Sequence, residues 1–161
     1  MSVFSVGSLF SGIGGIELGF ERTGQFETKW FVENDGYAKA VLRKHWKGVP
    51  IFDDVTSIDW EAIEKVDVLT GGFPCQPFSV AGKRKGEKDE RALWNYFLEA
   101  IRTISHSART LLKPAGYVLV EHGFLQGAAV RKIFAASGYS QIHSVRDLSG
   151  QERVTIGQYY P

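Results

Sequence analysis

The chain has a single cysteine and a single methionine among its 161 residues, only five prolines, and no apolar run long enough to cross a bilayer. One cysteine excludes an internal disulfide and cannot furnish a cysteine-rich metal site, so no metal is expected and the thiol is either inert or reactive. Without a long apolar run, or a basic segment leading into an apolar core at the amino terminus, no membrane association is expected and a soluble, cytoplasmic protein is. Charge of one sign is scarce as well. The 19 basic and 18 acidic side chains leave a formal charge of +1, so any binding of nucleic acid has to rest on a local patch rather than on the whole surface. No linker, repeat or low-complexity tract divides the chain, and residues 1–161 read as one domain large enough to bury its own core.

What is present is an alternation of apolar strands, turns and amphipathic helices. A strand from Val3 to Phe10 runs into the glycine turn "SGIGG" and a helix; a second strand covers 28–35 and a helix follows from Gly36 to Trp46. Short strands are expected at 49–52 and 66–70, a long helix at 91–112 ended by "KPAG", and a fifth strand at "YVLVEHG". A helix capped by Gly138 and two strands joined only by "SGQE" close the chain. This order predicts an α/β fold: a doubly wound, mostly parallel seven-stranded sheet with an antiparallel hairpin at its end. Its ligand belongs at the carboxyl ends of the central strands.

Three strand ends carry candidate ligand contacts. In "FSGIGG" the glycines let the backbone approach a ligand closely, although such turns are as often purely structural. Ile16 and Glu17 stand where a phosphate-cradling turn places lysine and serine, so a neutral or cationic ligand suits the turn better than pyrophosphate. Glu33 and Asp35 end the second strand, where a carboxylate can accept from both hydroxyls of a ribose, or where Asn34 or Asp35 caps the next helix. Asp53 and Asp54 follow the third strand, in reach of an adenine amino group or simply at the surface. Together they outline a nucleoside pocket with no phosphate site, which suits S-adenosylmethionine.

These segments resemble the DNA (cytosine-5) methyltransferases over residues 1 to about 104. "SLFSGIGGIELGF" is similar to their cofactor turn, "VENDGYA" to their ribose segment, "DDV" to their adenine contact, and "GGFPCQPFSVAGKRKGEKDER" to their catalytic loop. The resemblance implies the S-adenosylmethionine-dependent class I methyltransferase fold, with the cofactor lined by Phe10, Ser11, Gly12, Gly14, Glu33, Asn34, Asp54, Val55 and Pro74. It also implies Cys75 as nucleophile. Asn34 stands where that family often has an aromatic residue. From about Ser105 the chain instead resembles the release factor glutamine methyltransferases, in "ARTLLKPAGYVLVEHGFLQGAAVRKIFAASGY" and "RDLSGQERVTIGQYY". A chimera, natural or engineered, with its junction within 101–108, follows as an expectation.

Methylation of cytosine at carbon 5 needs a thiolate to add at carbon 6 and a proton source at the ring nitrogen. Cys75, held between Pro74 and Pro77, suits the first role; the bland alternative is a buried, inert thiol. Glu121, closing the fifth strand, is a candidate for the second role if partial burial raises its pKa; the alternative is that it braces the loop. Lys83, Arg84, Lys85 and Arg91 form a local basic loop able to contact a DNA backbone, or an ordinary charged surface. No stretch is left for a target-recognition region, so turnover on duplex DNA is expected to be slow or absent. The competing readings are a hybrid scaffold that binds cofactor without catalysis and, third, a protein glutamine methyltransferase, whose acceptor motif the cysteine loop replaces.

Overall fold

The computed structural model describes residues 3–54, 58–72, 98, 101–102 and 104–161. Seven strands form one sheet in the order β3-β2-β1-β4-β5-β7-β6. They are β1 (Phe4–Leu9), β2 (Phe26–Val32), β3 (Ile51–Phe52), β4 (Val66–Gly72), β5 (Leu112–Glu121), β6 (Tyr139–Arg146) and β7 (Glu152–Tyr159). The helices are α1 (Gly15–Glu21), α2 (Gly36–His45), α3 (104–111) and α4 (Gly127–Ala136). β1 to β5 run parallel, while β7 runs antiparallel to both β5 and β6, as the alternation of elements and the short final turn require.

Local chemistry explains the boundaries. Asp35 caps α2, its Oδ1 accepting from the Ala38 N–H at 2.8 Å, and Arg43, Lys44 and His45 occupy the last turn, where cations suit the helix carboxyl end. Gly138, at φ 82°, follows the cap residue Ser137 and closes α4 in the left-handed conformation. The "KPAG" segment departs from expectation. Leu112 already pairs with Val66, and the ladder resumes only at Val68 with Tyr117, so these residues form an offset inside β5 rather than a loop before it. Ala115 takes φ 64° within that offset, a left-handed conformation that costs a residue with a side chain about 1–2 kcal/mol.

The core lies mainly on one face of the sheet. Leu9, Trp30, Leu69, Val118 and Val120 from the strands pack there with Ile101, Ala108 and Leu111 on one side and Val130, Ile133 and Phe134 of α4 on the other. Phe31, adjacent to Trp30, points to the opposite face and packs with Leu42 of α2 and Trp46 just after it in a smaller cluster. Polar ties hold α1 to its neighbours: both Glu21 carboxylate oxygens accept from the Trp46 indole N–H at 2.8 Å, and one also accepts from Thr28. Among the described residues no helix is long and apolar enough to cross a membrane.

Candidate active site

Register sets the rim of the site. A single row of paired residues crosses the sheet through Phe52, Val32, Leu9, Gly71, Val120 and Thr155. Because the first five belong to parallel strands, the next residue of each lies at the same edge of the sheet. Those residues are Asp53, Glu33, Phe10, Gly72 and Glu121. Segments far apart in sequence therefore meet at one crevice, on either side of β1, where the chain reverses its direction of strand addition.

The glycine turn is locked to β2. Ser11 N–H donates to the Val32 carbonyl at 3.2 Å, and Gly12 N–H donates to Glu33 Oε2 at 2.7 Å. Glu33 Oε1 accepts from the Asp35 N–H at 2.8 Å, so two backbone donors orient one carboxylate and leave its outer lone pairs toward the rim. Phe10, Gly12 and Gly14 have φ of 52°, 55° and 81°. Gly14 has a second reason to be glycine: a Cβ there would sit 2.6 Å from the Trp46 ring and 2.9 Å from Leu42. Gly12, Gly15 and Gly71 are the reverse case, since a Cβ on any of them would meet nothing within 4 Å among the described residues. A backbone-lined cradle beside an oriented carboxylate fits the nucleoside and amino-acid ends of S-adenosylmethionine.

Of the remaining contacts expected from sequence, Asn34 is exposed after Glu33, and Asp54 is exposed after β3. Asp53 is committed elsewhere: Lys39 Nζ lies 2.7 Å from its Oδ1, and that hydrogen bond and charge hold its carboxyl below the usual range. Glu121 ends β5 opposite Gly72, its Oε2 3.8 Å from where a Cβ of Gly72 would stand. Its side chain is exposed. Val55, Pro74, Cys75, Lys83, Arg84, Lys85 and Arg91 lie outside the described residues. Among the described residues no group of three or more metal-ligating side chains gathers.

Two buried polar groups were not singled out as site residues by sequence. Glu17, 1% exposed, accepts a hydrogen bond from Thr70 Oγ1 at 2.7 Å. Its place two residues after the paired glycines was the available signal, but burial is not readable from a charged residue type. His122, also 1% exposed, lies 2.9 Å from the Gly123 carbonyl through Nδ1 and 2.8 Å from Thr155 Oγ1 through Nε2. The carbonyl can only accept, which places the proton on Nδ1; burial lowers the imidazole pKa and keeps it neutral. Thr155 continues to Ser144 and on to Arg131 and Glu152, so His122 is a packed structural residue.

Comparison with known proteins agrees with both resemblances. The family model for C-5 cytosine-specific DNA methylase matches residues 4–112. The Type II methyltransferase M.Bsp6I of Bacillus sp. (strain RFL6) is 46% identical over 102 residues, 63% of this chain and 32% of that protein. The release factor glutamine methyltransferase of Salmonella typhimurium is 50% identical over 58 residues, 36% of this chain and 21% of that protein. The chain thus spans a third or less of these relatives. In structure, a methyltransferase from Pyrococcus furiosus matches with a TM-score of 0.71 at 14% identity, covering 99% of this chain and 77% of the other. The architecture is that of the class I S-adenosylmethionine-dependent methyltransferases, and the chain belongs to the C-5 cytosine-specific DNA methylase family.

Proposed function

We propose that the chain is a methyltransferase core of the DNA cytosine-5 type that holds S-adenosylmethionine at the rim of β1, β2 and β4. The observation that carries this reading is the shared register row, which brings the glycine turn, the oriented Glu33 and the end of β4 to one crevice. Phe10, Ser11, Gly12 and Gly14 would cradle the cofactor, Glu33 would accept from its ribose, and Asn34, Asp54, Val55 and Pro74 would complete the pocket. When bound, the cofactor supplies an electrophilic methyl group.

Cys75 follows Gly72, the last residue of β4, by three positions in the sequence. Its thiolate would add to carbon 6 of cytosine and make carbon 5 nucleophilic. Glu121, which pairs with Gly72 across the seam, would offer a proton to the ring or brace the loop that carries Cys75. Lys83, Arg84, Lys85 and Arg91 would meet the DNA backbone, each neutralised phosphate adding to a salt dependence.

The likeness of 58 residues to a second methyltransferase family favours one further reading, a chimeric scaffold that binds cofactor without catalysis. Titration calorimetry with S-adenosylmethionine tests the pocket. Incubation with cofactor and DNA bearing 5-fluorocytosine tests the chemistry: a covalent adduct that disappears in Cys75→Ser is expected. Cofactor binding without any adduct at high protein concentration would favour the scaffold instead.

A further inference from the structure

The turn between β6 and β7 stands at the same edge of the sheet as the candidate site. Val154 of β7 pairs with Glu121, the last residue of β5, and with Val145 of β6; the hairpin continues past that row through the Arg146–Glu152 pair to a turn. At about 3.4 Å per residue the turn projects roughly 10 Å beyond the rim. Its backbone is locked. Asp147 N–H donates to the Gln151 carbonyl at 2.8 Å and Gly150 N–H to the Asp147 carbonyl at 2.9 Å, while Asp147 Oδ1 accepts from the N–H groups of Ser149 and Gln151. From either side Arg146 donates to the Gly150 carbonyl at 2.6 Å and Arg153 to Asp147 Oδ2 at 2.9 Å. Leu148 stands on this turn with an exposure of 109%, wholly in solvent. Turn chemistry accounts for Asp147 and for Gly150, whose φ is 78°, but a polar side chain in place of Leu148 would serve the fold as well. Single exposed leucines are ordinary on protein surfaces. This one is set apart by a rigid mount, two flanking guanidinium groups and a place beyond the edge at which a substrate has to approach.

Resting on the cytosine-5 reading above, we propose that this hairpin is a target-side wedge, with Leu148 entering the base stack of duplex DNA and filling space that an extruded cytosine leaves. A cytosine inside a duplex is closed to a thiol, so the base has to leave the stack, and the unstacking is costly unless the gap is filled. An apolar side chain inserted between base steps, with arginines alongside, does this in proteins that kink or open DNA. The mount has to be stiff, because a wedge that folds back exerts nothing on the stack. The six hydrogen bonds that hold the turn supply that stiffness. Arg146 and Arg153 balance Asp147 and Glu152 in charge, so the segment contributes insertion rather than a general attraction for phosphates.

The test uses a polymerase-made duplex with 5-fluorocytosine at every cytosine, and the same DNA heat-denatured to single strands. Each is incubated with S-adenosylmethionine and the full chain as wild type, Leu148→Ser or Leu148→Met, and the covalent adduct is measured. Single strands need no extrusion, so Leu148→Ser should lower the adduct about tenfold on the duplex and by less than about twofold on single strands. Leu148→Met keeps an apolar side chain and should stay within about twofold of wild type on both. Melting temperature and cofactor affinity should not move in either variant, because the side chain lies outside the packed fold. Equal loss on both DNAs, or no loss on either, would overturn the proposal. A wild type that reacts with single strands and not with the duplex would overturn the wedge alone. A wild type that binds cofactor yet reacts with neither would bring down the cytosine-5 reading, and the wedge with it.

Discussion

The β1–β4 half and the β5–β7 half of the sheet are built to different rules. In β1 five consecutive residues are buried, and in β4 all but the second and last are, as expected of parallel strands covered on both sides. In β5 burial alternates strictly from Gly116 to Val120, and the residues between, Tyr117 and Leu119, are half-exposed. The first half carries the glycine turn, Glu33 and Glu17; the second carries the α3 and α4 packing and the His122 network. Yet they share one core cluster and a ladder of five successive pairs from Val68–Tyr117 to Gly72–Glu121. Segments that resemble different families thus join at the level of backbone pairing and apolar volume, both of which are indifferent to ancestry.

The strongest way to break this picture is to remove a large side chain from each half. Trp30→Ala and Phe134→Ala should each cost about 3–5 kcal/mol, and in both variants one common unfolding transition should move when fluorescence and circular dichroism are followed together. Two separated transitions would show that the halves fold independently. Next in size, Gly14→Ala should cost about 2–4 kcal/mol, because it adds left-handed strain to a clash with Trp46 and Leu42, and cofactor affinity should fall with it.

The second half should show its own pH sensitivity. Burial depresses the His122 pKa in the folded state below its unfolded value of about 6.5, so the unfolded chain binds the extra proton first. Stability from this group is complete above that pH and declines as pH falls through it toward the folded pKa. Protection factors of the β5 and β7 amides, corrected for intrinsic exchange, should be lower at pH 5 than at pH 7.5, and His122→Gln should flatten the difference.

A smaller effect should appear at the seam. Lys113 Nζ lies 2.9 Å from both Asp67 Oδ2 and Ser5 Oγ, tying the start of β5 to β4 and β1. Burial alone would raise the Asp67 pKa, but hydrogen bonds from Ser5 and Lys113 outweigh it and hold the carboxyl below its usual range. Since the pair is partly exposed, a double-mutant cycle of Asp67→Asn with Lys113→Met should give a coupling of about 0.5–1 kcal/mol, present at neutral pH and lost as pH falls through the carboxyl range. Smallest of all, Ala115→Gly should stabilise by about 0.5–1 kcal/mol, the left-handed strain relieved less the chain entropy that glycine adds, read as a rise in melting temperature.

The site was legible where chemistry is local. Helix capping after β2 had two candidate residues, and the structure chooses Asp35 because its Oδ1 reaches the Ala38 N–H, freeing Glu33 to bond the glycine turn. Asp53 and Asp54 were equally plausible nucleoside contacts until Lys39, 14 positions away, paired with Asp53. The proton-donor candidate Glu121 has the right strand end, but its exposure depends on neighbours that no spacing rule reveals.

By itself the order of residues determined the alternation of elements, the sheet class, the turn and the family, because propensity, periodicity and capping act over a few residues. Tertiary structure decided what depends on two distant segments meeting: the register row that aligns five strand ends, the offset that puts Ala115 in a left-handed turn, and the burial of Glu17 against Thr70. Burial and pairing are properties of the space between segments, and that space exists only once the sheet has closed.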